Sequence, residues 1–422
     1  MMRILIVQYA GDYREAVQRF AAGQDETYYA QEYSVDAVAA IGRRTEEIAL
    51  LCCKTEQPYD ERLTNGVRAI GAGFQHDVDF NIVIQKIAAY QPTHLILNMP
   101  VREILSWANS RQVPTLAMFA DSFTLPKGFS PKAVRAKLRN LQLTKALNHP
   151  NVQWIGNHGI TATESLSGIG VSSSKLIPWD WPHTITPADY PAKTLSAAPE
   201  QPARTLVYVG AMTESKGIGD VMEAVAQLKT QNLSVQLKMA GKGDLAQLQQ
   251  KAALLQISES VEFLGLVGNK TIIPLMRSAD LVMVPSRHDY PEGFPMTIFE
   301  ALCSRTPIVA SDHPMFLQQL QHQQNAMLFP AGNAAAIAAQ VTAILNDPAL
   351  YGAISEATQT TWQSLQLPVK WADLVNHWVD QSLESQDWLA QYSLDSGRYV
   401  RQSGSRLSSS PALSLPTLSA LG

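Results

Sequence analysis

The chain has little charge. Asp, Glu, Lys and Arg make up 17% of its 422 residues, against roughly 25% in typical globular domains. The formal balance is only −4, whereas a dedicated nucleic-acid binder carries a basic excess. Cysteine is scarce as well: Cys52 and Cys53 are adjacent and Cys303 stands far away. An odd count without regular spacing makes neither a disulfide framework nor a zinc site, and fits a reducing compartment. No apolar stretch reaches the roughly 18 residues that span a bilayer. The short apolar run in MMRILIVQYAGDYREA reads as a first buried strand rather than a signal peptide. These absences point to a cytoplasmic protein, with peripheral contact at the inner membrane face left open. The patterns GxxxxGK[ST] and GxGxxG are missing too, so neither a Walker A loop nor a dinucleotide fingerprint is present.

Apolar residues, by contrast, are plentiful at 46%. That is enough for real cores and excludes wholesale disorder, and the length calls for two domains. Short apolar runs alternate with helical stretches. Arg3–Tyr9, His94–Asn98, Thr115–Ala120 and Val152–Gly156 read as strands, and Asp12–Ala22 and Asn81–Tyr90 as helices. Continuous apolar strands between helices imply a parallel sheet covered on both faces. The rhythm breaks at Ile177–Pro202, which holds six prolines, residues that block helices and central strands. It then restarts with strands expected at Thr205–Val209, Val235–Ala240, Val261–Leu264, Leu281–Pro285, Pro307–Ala310 and Ala326–Phe329. Beyond Pro348 comes a helical region with Trp362, Trp371, Trp378 and Trp388. Within it Trp371, Leu374, Val375, Trp378 and Val379 form one stripe, which packs either on the second domain or back on the first. Ser403–Gly422 is rich in Ser, Leu and Pro and is expected to be disordered.

Chemistry concentrates in three segments. In PSRHDYPEGFPMTIFEALCSRTPIVASD (residues 285–312) a strand ends, a loop carries Glu292, and a helix expected to begin with Pro295 at its first position carries Glu300. Free amides of Phe294, Met296 and Thr297 at the helix start suit a phosphate, and a carboxylate on each side can accept hydrogen bonds from hydroxyls. Alternatively, Glu300 is a helix-surface residue and Glu292 a loop charge. In VGAMTESKGIGD (209–220) Lys216 can reach a phosphate as a point charge, or is a solvated turn lysine. In MAGKGD (239–244) a tight glycine turn permits close approach of a ligand or a helix.

In this order and spacing, the three segments resemble the family-4 retaining glycosyltransferases of the GT-B fold. The resemblance covers roughly 205–348 and includes the FLG of Phe263–Gly265 and the stretch Ala279–Ser286; the first half matches only loosely. It implies two Rossmann-like doubly wound parallel-sheet domains with a cleft between them and a C-terminal helix returning to the first. The expected divisions are an acceptor-side domain over 1–178, a Pro-rich linker over 179–203, a donor-side domain over 204–350, a Trp-rich return over 351–395 and a tail over 396–422.

The resemblance also implies a reaction: transfer of a sugar from a nucleotide-diphosphate sugar to a hydroxyl of a saccharide or lipid-linked saccharide, with retention, in polysaccharide or glycolipid synthesis. No metal or cofactor is expected. By resemblance Glu300 binds the ribose hydroxyls and Glu292 the donor sugar. Gly293, Phe294, Pro295 and Met296 present backbone to the sugar and distal phosphate, Lys216 neutralises the leaving diphosphate, and Gly210 lets the donor lie close. The family's arginine after that glycine is replaced by Ala211, so Lys242 or Arg287 is the candidate substitute. The family's His-Asp pair after a first-domain strand is here Ala120-Asp121, with no histidine.

Acceptor-side candidates follow from topology, since ligands bind beyond the carboxyl ends of strands: Gly11, Asp12, Asp121 and His158, with helix capping as the plain alternative for the two aspartates. A nucleotide-sugar epimerase or phosphorylase on the same fold, or a non-catalytic nucleotide-sugar-binding subunit, is the competing reading.

Overall fold

The computed structural model describes residues 2–126, 128–195, 203–290, 292 and 294–399. The tail expected to be disordered lies outside these residues from 400 onward; the last described element is a 3-10 turn at Leu394–Ser396.

Two sheets organise the molecule. The first has eight strands in the order Tyr59–Arg62, Arg68–Gly71, Glu47–Cys52, Arg3–Gln8, His94–Leu97, Thr115–Phe119, Val152–His158, Leu176–Trp179. All pair in parallel except the edge pair Tyr59–Arg62 with Arg68–Gly71. The second has six strands, all parallel, in the order Val261–Gly265, Val235–Ala240, Arg204–Val209, Leu281–Val284, Ile308–Ser311, Met327–Phe329. This is the doubly wound arrangement, in which the chain starts in the middle and winds first one way and then the other. Apolar clusters cover both faces of each sheet, as uninterrupted apolar strands require.

Proline is less disruptive at the boundary than the sequence suggests. Leu176–Trp179 forms a strand although it contains Pro178, because the strand lies at the sheet edge, where a missing N–H costs no ladder bond. Further on, the Lys193 ammonium donates to the carbonyls of Arg277 (2.8 Å) and Ala279. Burial pushes that ammonium down to about 8. The part of the Pro-rich segment at 196–202 lies outside the described residues.

The C-terminal helices divide between the two halves. Pro348–Leu365 stays on the second half, where Tyr351 and Ile354 enter its core. Trp371–Asp380 packs on the first: Trp371, Leu374, Val375 and Trp378 join Ile4, Ile6 and Trp179 in one cluster. Trp378 is 1% exposed, and truncating it to alanine would cost about 3–5 kcal/mol. The chain therefore crosses between halves twice, near Asp180 and near Lys370. The crossings touch: the Asp180 N–H donates to the Val369 carbonyl (3.0 Å) and the Trp371 N–H to the Asp180 carbonyl (3.2 Å).

Candidate active site

In the second sheet the winding reverses around Arg204–Val209, and the carboxyl end of that strand opens a crevice. Gly210 follows it with φ 144°, and Gly241 follows the neighbouring strand with φ 146°. A Cβ on Gly241 would stand 1.8 Å from the Gly210 carbonyl oxygen, so the two backbones touch and leave a bare wall. The Gly210 N–H is spent on the Ala240 carbonyl (2.9 Å); the glycine offers closeness rather than a donor.

A cavity of about 410 Å³ lies against this wall. Gly210, Ala211, Lys242, Val267, Asn269, Met296 and Glu300 line it from the second half, and Tyr28, Tyr29 and Trp181 from the other side. Glu300 sits on the helix Met296–Ser304 and is 5% exposed. It accepts a hydrogen bond from the Asn269 amide (3.0 Å). Burial raises its carboxyl to about 7, against the pull of Asn269, and nearby Glu26 adds to the rise. A buried carboxylate with one oxygen bonded and the rest facing a cavity is placed to accept hydrogen bonds from a diol. Lys242 is exposed on the rim.

Lys216 and Glu292 are brought together just outside this lining. Lys216 closes a 3-10 turn, and Gly217 behind it has φ 73°. A Cβ there would meet the Pro285 carbonyl oxygen at 2.0 Å, so only glycine lets the turn press on the end of Leu281–Val284. The Lys216 ammonium pairs with the Glu292 carboxylate and stands 4.2 Å from the Tyr290 ring centre. Glu292 also accepts from the Ser286 hydroxyl (2.6 Å). The pair is mostly shielded from water, with side-chain exposures of 16% and 6%.

Two details differ from the sequence reading, at Pro295 and Arg287, and Phe294 adds one. Pro295 is the cap of the helix, with ψ 138°, not its first helical residue; lacking an N–H, it gives no donor to an anion. Phe294 contributes a buried ring, set edge-on to Phe299 at 5.3 Å. Arg287 is not a spare cation. Its guanidinium holds buried Asp220 through two bonds, 2.9 and 2.6 Å, and pairs with Glu214 at 2.7 Å. Gly293 lies outside the described residues.

The first-half candidates are dispersed. Asp12 caps Tyr13–Ala21, accepting from the Arg14 and Glu15 N–H groups, and also accepts from the Tyr59 hydroxyl. It lines a cavity of about 240 Å³ that shares Tyr28 and Trp181 with the larger one. Gly11 precedes it at φ 90°, its carbonyl taken by Gln8. Asp121 is half-buried, which raises its carboxyl, and its backbone carbonyl accepts from Asn157. His158 faces Asp180 (3.2 Å). Burial alone would raise the Asp180 carboxyl, but His158 and His183 outweigh it and hold it well below the usual range. His183 in turn stacks on Phe299 at 4.9 Å, beside Glu300. Asn269, Tyr29 and the Asp180–His183 pair escaped the sequence reading. Asn269 alone had a signal, lying just past the FLG strand, where the carboxyl-end rule places ligands.

The two sheets, their order and the cleft define a GT-B fold. Sucrose-phosphate synthase from Thermosynechococcus elongatus superposes with a TM-score of 0.62 at 18% identity, covering 90% of this chain and 99% of that one. HepE of Anabaena, solved in complex with UDP-glucose, superposes with 0.59 at 16%, covering 91% and 100%. Residues 196–361 match the family model described as glycosyl transferases group 1. Over 163 residues the chain is 32% identical to a phosphatidyl-myo-inositol mannosyltransferase of Mycobacterium leprae, covering 37% of this chain and 42% of that protein. Over 149 residues it is 33% identical to the amylovoran biosynthesis glycosyltransferase AmsK of Erwinia amylovora, covering 34% and 36%. The aligned stretch thus spans about two fifths of those relatives.

Proposed function

We propose that the protein is a retaining glycosyltransferase that moves a sugar from a nucleotide-diphosphate sugar to a hydroxyl acceptor in polysaccharide or glycolipid synthesis, without metal or cofactor. The observation that carries this reading is the cavity on the Gly210–Gly241 wall, with buried Glu300 facing it and Lys216 paired to Glu292 beside it. In the reaction the bond from the anomeric carbon to the diphosphate oxygen breaks, its electron pair leaving with the phosphate. The acceptor oxygen bonds to the same carbon on the same face, and its proton passes to the leaving phosphate. Glu300 holds the ribose diol. An arriving diphosphate competes with Glu292 for Lys216, and the carboxylate so released is free to accept from sugar hydroxyls. Lys216 then stabilises the charge that grows on the leaving group, and Lys242 adds a second cation from the rim.

The test is a donor panel of UDP-, GDP- and ADP-sugars with purified protein. Nucleotide diphosphate should be released in the presence of an acceptor, and Glu300→Ala should weaken donor binding by about a hundredfold or more. Full activity in that variant would sink the site assignment.

A non-catalytic nucleotide-sugar-binding subunit is the second reading. Ala211 in the position of the family's arginine favours it, as does the commitment of Arg287 to Asp220. Tight donor binding without turnover across a broad acceptor screen would select it.

A further inference from the structure

The helix Pro131–Leu147 has two apolar faces, and only one is covered. Ala133, Leu143, Ala146 and Leu147 are buried in the first half. Val134, Leu138 and Leu141 recur at helical spacing on the opposite side and are 41%, 52% and 64% exposed. The preceding loop adds Leu125 at 61% and Phe129 at 92%. That loop is fastened to the helix: the Asn140 amide donates to the Thr124 carbonyl (2.8 Å), and the Lys137 ammonium donates to the Gly128 carbonyl (3.0 Å) while standing 5.0 Å from the Phe129 ring centre. Single exposed apolar residues are ordinary; a contiguous group of five on one platform marks an interaction surface.

Charge says what kind of surface it meets. Residues 122–163 contain no Asp or Glu and six cations, Lys127, Lys132, Arg135, Lys137, Arg139 and Lys145, in a chain whose whole balance is −4. By helical position Arg135 flanks one side of the Val134–Leu138–Leu141 stripe and Lys137 the other, Lys145 continues it, and Lys132 and Arg139 stand further round the helix. The acids that bound the stretch are Asp121 and Glu164. On the neighbouring helix, Glu103 is occupied by Arg102, whose guanidinium also bonds Gln142. An apolar stripe rimmed by long cationic side chains matches a bilayer interface: the apolar groups enter below the headgroups, and the cations meet phosphates. Among the described residues no helix is long and apolar enough to cross a membrane, so the contact is one that lies on the surface.

We propose that this face docks on an anionic lipid bilayer, with Phe129, Leu138 and Leu141 at the headgroup–acyl boundary and Arg135 and Lys145 against lipid phosphates. The platform follows directly from the strand Thr115–Phe119, past Asp121 at its carboxyl end. Docking therefore holds the first-half rim of the cleft towards the bilayer. The inference stands whether or not the chain transfers sugar.

The test is co-sedimentation of the full chain with vesicles of phosphatidylcholine alone and of phosphatidylcholine with one third phosphatidylglycerol. Binding to the anionic vesicles should be at least about tenfold stronger and should weaken as salt is raised. Arg135→Ser with Lys145→Ser should lower it by about twenty-five-fold, at roughly fivefold per cation. Phe129→Ser with Leu138→Ser should also release the protein, with thermal unfolding unchanged because both side chains are exposed. Equal binding to both vesicle types, no binding to either, or charge variants that bind like wild type would overturn the proposal. So would a dimer in sedimentation velocity that Leu138→Ser with Leu141→Ser converts to monomer without any vesicle binding, which would assign the face to a second copy. Nucleotide-sugar binding measured on the same variants should stay at the wild-type level; its failure to appear even in wild type would count against the proposed function and not against the docking surface.

Discussion

The two sheets share a construction but differ in how they present chemistry. At the carboxyl ends of the second, selected residues from three separate segments converge: Gly210 and Lys216 from one, Lys242 from another, Glu292, Met296 and Glu300 from the third. At the carboxyl ends of the first, Asp12, Asp121 and His158 stand apart: Asp12 caps a helix, the Asp121 backbone carbonyl accepts from Asn157, and His158 faces Asp180. A phosphate-bearing donor has fixed chemistry wherever it binds, so short loops of fixed spacing can serve it. In the first half Asp12 lines one cavity and His158 another, so their spacing along the chain marks no shared site.

Replacing Glu300 with alanine breaks the comparison at its strongest point. Loss of a carboxylate that accepts two hydroxyl bonds should weaken donor binding by about a hundredfold or more, as read by calorimetry. Retained affinity would mean that the second half is not the donor side. Lys216→Ala should lower kcat by about a hundredfold with a smaller change in KM. Because it leaves Glu292 buried without its cation, the double variant with Glu292→Gln distinguishes lost catalysis from lost fold.

Glu300→Gln separates stability from binding. Its carboxyl is raised from the ordinary value of 4.5 to about 7, so the folded chain holds a proton that the unfolded chain releases between those values. The carboxylate therefore destabilises the fold fully above pH 7, and the penalty disappears as pH falls below about 4.5. The glutamine variant should be more stable than wild type by about 3 kcal/mol at pH 8 and scarcely more stable at pH 4.5, measured by denaturant unfolding. A gain that is independent of pH would refute the titration.

Lys242→Ala should cost only about fivefold in donor affinity, and less in high salt, since the side chain is exposed; an unchanged affinity removes it from the site. Smallest of all, Asp12→Ala should lower stability by about 1 kcal/mol through the lost helix cap and leave donor affinity untouched. A large loss of transfer with normal stability would instead return Asp12 to the acceptor side.

The second half was legible because its strands are short, apolar and punctuated by glycine turns. In the first half, Glu47–Cys52 is fully apolar after its first residue, yet it runs into CKTEQPYDER without a turn signal and no strand was expected there. Tyr59–Arg62 is a polar edge strand with no apolar alternation to betray it. The helix Gln31–Gly42 was missed because its alanines give almost no stripe. Within the site, residue types were readable but partnerships were not. Arg287 looked available until Asp220, 67 residues earlier, proved to hold it. Lys216 and Glu292 were each assigned to a ligand, and the fold pairs them with each other. Availability of a charge depends on distant chain, which local spacing does not encode.

The touching crossings at Asp180 and Lys370 bear on how the halves can move. Two separate connectors would let the halves slide sideways as well as swing. Here they are bonded flank to flank, with Trp181 stacked on Trp371 at 6.3 Å, so the two strands of chain share one line. Away from that line the halves are also tied together: the Asn269 N–H donates to the Glu26 carbonyl (3.0 Å) and the Thr161 hydroxyl to the Gln318 amide oxygen (2.7 Å). Widening the cleft about the crossings has to break these two bonds, and the first of them holds the segment that carries Tyr28 and Tyr29 against the cavity wall.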